Sequence, residues 1–76
     1  MKYRVYVYFK EGILDPEAEA IKKTVFSAGF KNISSLSRGK FFDIELMKDT
    51  DKEINDLSKK ILSNPIIEEF KIIKIN

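Results

Sequence analysis

Asp43 and Glu45 are the residues of this sequence best spaced to do chemistry. Two positions apart on a strand, their carboxylates share one face about 7 Å apart. Paired carboxylates at such a separation suit glycoside hydrolysis or a metal ion. The rest of the composition argues against both. The chain has no His and no Cys, so it lacks the side chain that titrates near neutral pH and the strongest nucleophile. Ser27, Ser34, Ser35, Ser37, Ser58 and Ser63 have no imidazole to activate them. A domain of 76 residues offers no deep, dry cleft that would shift a carboxylate pKa. An ion-pair ladder of Asp43 and Glu45 with Arg4 and Lys10 is the simpler account. Gly39-Lys40 hints at phosphate binding, but the upstream glycine and following Ser/Thr of a P-loop are missing. A turn glycine beside solvated cations explains it better. The expectation is a chain with no catalytic, cofactor-binding or metal-binding residue of its own.

Aromatic side chains give the sharper signal. Tyr6, Tyr8 and Phe41 fall on the outward side of two strand patterns. Aromatics so placed stack bases in RNA-recognition modules, and RGKFFDIE overlaps that signature at Arg38, Gly39 and Phe42. Asp43 and Glu45 share the face of Phe41, however, and repel phosphates. The other reading is a protein interface, an aromatic centre rimmed by Arg4, Lys10, Asp43 and Glu45. A sensor domain that dimerises through its sheet is a third possibility.

These residues need a sheet to hold them. Lys2 to Lys10 alternates, with Tyr3, Val5, Val7 and Phe9 on one face and Arg4, Tyr6, Tyr8 and Lys10 on the other, which predicts a strand. Asp15-Pro16 opens a helix as cap and first residue; Ala18, Ile21, Val25 and Ala28 predict its buried stripe, and Gly29 its stop. Lys31 to Arg38 reads as a second strand anchored by Ile33 and Leu36, whose odd spacing suggests a bulge. Arg38-Gly39-Lys40 reads as a turn and Phe41 to Met47 as a third strand. Thr50 to Glu53 resembles a capping box ahead of a helix with Ile54, Leu57 and Ile61 inward. Asn64-Pro65 ends it, and Glu68 to Ile75 is a fourth strand, apolar on both faces. The order is βαββαβ. The expected class is α+β, ferredoxin-like, with a four-stranded antiparallel sheet, two helices on one face, strands one and three central, and dimerisation through the sheet.

Composition sets the limits. With 43% hydrophobic and 34% charged residues, the chain suits one folded domain, residues 1–76, rather than a disordered one. So short a domain buries only about 60% of its unfolded surface, which favours oligomerisation. A net charge of +2 does not make a nucleic-acid or membrane binder. Without Cys there is no disulfide or thiolate site. Met1 to Arg4 runs straight into a strand pattern without the apolar block of a signal peptide, and no apolar run matches a bilayer. These features predict a cytoplasmic protein.

Several weak signals in fixed order add a resemblance. Lys10 followed by Leu14-Asp15-Pro16, Gly29-Phe30, Gly39-Lys40, and Leu62-x-Asn64-Pro65-x-Ile67-Glu68 together resemble the PurS family, small subunits of phosphoribosylformylglycinamidine synthase. The likeness spans essentially the whole chain. Ala18 stands where members often carry Gly, a change that favours helix. The resemblance implies a non-catalytic subunit of an ATP-dependent C–N ligase complex in purine biosynthesis. It implies a homodimer or dimer of dimers bridging a glutaminase subunit, PurQ, and a synthetase subunit, PurL. There it would assist ammonia transfer for conversion of formylglycinamide ribonucleotide to the formylglycinamidine, with ATP and Mg held by the synthetase. The homodimer contact is expected at Arg4, Tyr6, Tyr8, Phe41, Phe70 and Ile72. Contacts to the larger subunits are expected at Lys10, Asp15, Arg38, Lys40, Asn64 and Glu68, although Asp15 and Asn64 are equally explained by helix-end geometry.

Overall fold

The computed structural model describes residues 1–48 and 51–75. Its elements are β1 (Lys2–Phe9), α1 (Pro16–Ser27), β2 (Gly39–Glu45), α2 (Asp51–Leu57) continued by a π-helical turn (Ser58–Leu62), and β3 (Glu68–Lys74). The described residues form one three-stranded antiparallel sheet in the order β2-β1-β3. The fold is therefore α+β with two helices, and the expected fourth strand is absent among the described residues. Residues 31–38 run as an irregular segment instead. Ile33 and Leu36, three apart, cannot both face the same side of a strand, and the intervening serines supply no apolar alternation. With that strand missing, β1 alone is central and the expected third strand, now β2, lies at an edge.

The alternation of β1 places Tyr3, Val5 and Val7 in the core, where Ile54 of α2 packs on them. Phe42, Ile44, Leu46, Leu57, Phe70 and Ile72 close around this nucleus. Gly39 begins β2 rather than sitting in a turn. A Cβ there would meet the Val7 carbonyl oxygen at 2.6 Å, so the close strand approach requires glycine. Thr50, the expected cap of α2, lies outside the described residues.

The end of the second helix departs from the expected spacing. The Ser63 amide and hydroxyl both donate to the Ser58 carbonyl, at 3.1 and 2.9 Å. The amide bond spans five residues, the mark of a π turn. This wider turn shifts the helix face, so Leu62 joins the core and Ile61, expected inside, is 72% exposed.

Helix α1 begins and ends as its sequence dictates. The Asp15 carboxylate accepts from the Glu17 and Ala18 amides at 3.1 and 3.3 Å. At the other end, Gly29 at φ +103° allows the Gly29 amide to reach Phe26 O and the Phe30 amide to reach Val25 O, a Schellman closure. Its expected buried stripe is not realised. Only Ala18 is buried, while Ile21 and Phe26 are exposed. No residue of α1 joins the core cluster around Tyr3, Val5 and Val7, to which α2 contributes Ile54 and Leu57. The molecule is elongated, with extents of 48 × 27 × 14 Å and a radius of gyration of 15.6 Å, against about 11 Å for a compact chain of this length.

Candidate interaction surface

Among the described residues, the sheet face opposite α2 stays largely open. Cross-strand register sets Arg4 opposite Asp43 and Ile73, Tyr6 opposite Phe41 and Lys71, and Tyr8 opposite Gly39 and Glu69. The Arg4 guanidinium donates to both Asp43 oxygens, Nε to Oδ1 at 2.8 Å and Nη2 to Oδ2 at 3.1 Å. It also stacks 4.6 Å from the Phe41 ring centre, and Phe41 meets Tyr6 in a tilted pair at 6.0 Å. Tyr6, Tyr8 and Phe41 remain 37%, 40% and 54% exposed. The charge-assisted fork holds the Asp43 carboxyl below the usual carboxylate range and pushes the Arg4 guanidinium up. Asp43 is thus locked as an anion, which is unsuited to a general acid. Among the described residues no group of three or more potential ligands could hold a metal ion, and no helix is long and apolar enough to cross a membrane.

A second set of residues gathers where β1, α1 and β2 meet. A groove of about 630 Å³ there is lined by Tyr6, Tyr8, Lys40 and Phe41 of the strands and by Lys10, Asp15 and Arg38 of the segments beside them. Arg38 ties the segment before β2 to the start of α1. Its Nε lies 3.1 Å from Asp15 Oδ2 and its Nη2 2.6 Å from Glu17 Oε2. Asp15 therefore serves two local ends, capping and ion pairing.

Other expected contact residues fall elsewhere. Phe70 and Ile72 sit opposite Val7 and Val5 on the core side, so the open face receives Ile73 instead. Asn64 and Glu68 build the turn before β3. The Asn64 amide donates to Glu68 Oε1 at 2.7 Å, and Asn64 Oδ1 accepts from the Ile66 amide at 3.1 Å. Sequence reasoning passed over Ile73, Lys71 and Glu69. The strand Phe70-Lys71-Ile72-Ile73 places apolar residues on both faces, so alternation alone does not say which isoleucine faces out.

A family model described as PurS, phosphoribosylformylglycinamidine (FGAM) synthase, matches residues 2–75. The chain belongs to the PurS family. A curated relative, the PurS subunit of phosphoribosylformylglycinamidine synthase from Archaeoglobus fulgidus, is 36% identical over 73 residues, 91% of each chain. The structure of PurS from Methanocaldococcus jannaschii, one of the subunits of formylglycinamide ribonucleotide amidotransferase in the purine biosynthetic pathway, matches at TM-score 0.80 with 32% identity. It covers 99% of this chain and 98% of that one. A chain in the structure of PurLQS from Thermotoga maritima shares the fold at TM-score 0.84 with 19% identity, covering 97% and 95%. Nothing in these likenesses supports RNA binding. Asp43 and Glu69, flanking the aromatic row, also oppose a phosphate backbone.

Proposed function

We propose that this chain is the non-catalytic adaptor of phosphoribosylformylglycinamidine synthase in the cytoplasm. It acts as a homodimer, or a dimer of dimers, that bridges the glutaminase PurQ and the ATP-dependent synthetase PurL. Its role is to align their sites so that ammonia released from glutamine reaches formylglycinamide ribonucleotide without escaping to water. ATP and Mg belong to the synthetase. Family membership and the M. jannaschii relative support this reading. The observation that carries it is the open aromatic sheet face, whose Arg4, Tyr6, Tyr8, Phe41 and Ile73 form the self-contact between copies. An interface with an aromatic centre and a charged rim fits a second protein chain. The sheet is read as ferredoxin-like with its fourth position, beside β2, left open.

The test is reconstitution with the synthetase and glutaminase of the same source. Glutamine-dependent turnover should require this chain, whereas ammonia-dependent turnover should need it far less. Full glutamine-dependent activity without the chain overturns the adaptor role. A monomer by light scattering at assay concentration overturns the self-contact.

A further inference from the structure

The distal end of α1 and its return segment carry a second surface, separate from the open sheet face. Ile21, Phe26, Phe30 and Ile33 are all exposed along this arm, Phe26 by 54% and Phe30 by 66%. The charge here is one-sided. Residues 20–42 hold Lys22, Lys23, Lys31, Arg38 and Lys40 and no carboxylate, while the remaining nine cations share the chain with all twelve carboxylates, a net of −3. Arg38 is neutralised by Asp15 and Glu17, and Lys40 lies 5.9 Å from the Phe42 ring on β2. Lys22, Lys23 and Lys31 are left at the tip. The Lys31 ammonium sits 5.2 Å above the Phe26 ring, and Lys22 Nζ donates to the Ser34 carbonyl at 3.3 Å. Lys31 is thereby held over Phe26, and Lys22 against the return segment.

Resting on the adaptor reading, we propose that this tip is the docking surface for a different protein subunit. That partner presents an apolar patch ringed by Asp and Glu. Complementary rim charges steer encounter and fix register, and the phenylalanines supply the apolar centre. A second copy of the same tip is disfavoured, because a two-fold contact would set three lysines against three. Head-to-tail contact with the acidic body of another copy would build rings or filaments rather than a two-fold dimer. A nucleobase would compete with Lys31 for one face of the Phe26 ring.

The experiment measures binding of the full chain to the synthetase and glutaminase subunits at low and high salt. It compares the wild type with the triple variant Lys22→Glu, Lys23→Glu, Lys31→Glu, and with Phe26→Ser, Phe30→Ser. Both variants should keep the wild-type circular dichroism and homodimer mass. Each should lose roughly tenfold or more in affinity, and the triple variant should lose most of the salt dependence. Wild-type affinity in both variants overturns the proposal, as does loss of the homodimer, which would assign the tip to a second copy. Equal or tighter wild-type binding to a single-stranded oligouridylate or to phosphatidylglycerol vesicles also overturns it. If the wild type binds neither subunit, the adaptor reading itself falls, and this inference with it.

Discussion

The sheet with α2 and the arm formed by α1 and residues 28–38 were written in the same alphabet but folded to different ends. Both carry apolar residues at regular spacing. In the sheet, Tyr3, Val5 and Val7 meet Ile54 and disappear from water. In the arm, Ile21, Phe26, Phe30 and Ile33 meet little of their own chain, and Ala18 alone is buried in the helix. Periodicity reports which face of an element is apolar. It does not report whether that face is covered by the same molecule or by another.

Substitutions can break or sharpen this contrast. The largest effect belongs to the core. Ile54→Ala should cost about 2–5 kcal/mol in urea unfolding, while Phe26→Ala in the arm should stay within about 0.5 kcal/mol for the isolated chain. Equal costs would mean that the arm packs on its own sheet in solution. Gly39→Ala comes next. Its methyl group must displace the Val7 carbonyl, at about 1–3 kcal/mol, read in the same unfolding curve. Asp15→Ala removes the cap of α1 and the Arg38 anchor together; about 0.5–2 kcal/mol is expected, with amide exchange rising in α1 and not in β1. The smallest effect is acidic. Because Asp43 is held below its ordinary value by Arg4, its contribution is complete at neutral pH and is lost as pH falls below about 4. Unfolding stability should fall slightly over that range in urea titrations, and Arg4→Met should remove this part of the acid response.

Local signals were legible from the sequence. The alternation in β1, the Asp15 cap, the Gly29 stop and the facing of Arg4, Tyr6, Tyr8 and Phe41 all follow from neighbours within a few residues. What was not legible depends on distance along the chain or on parity. Arg38 and Asp15 are twenty-three residues apart, and no local pattern joins them. Segment 31–38 offers two apolar residues and no period. In β3, Ile72 and Ile73 compete for the inward side, and only pairing with β1 decides between them.

The π turn at Ser58–Leu62 has a consequence for length variation. It accommodates one residue more than a regular α-helical turn, and Ser63 holds the surplus through two bonds to one carbonyl. Removing Ile61 should therefore be absorbed, since an ordinary helical turn would bring Leu62 to the same inward position. A single deletion within β1 has no such slack, because losing one residue there would turn the rest of the strand inside out.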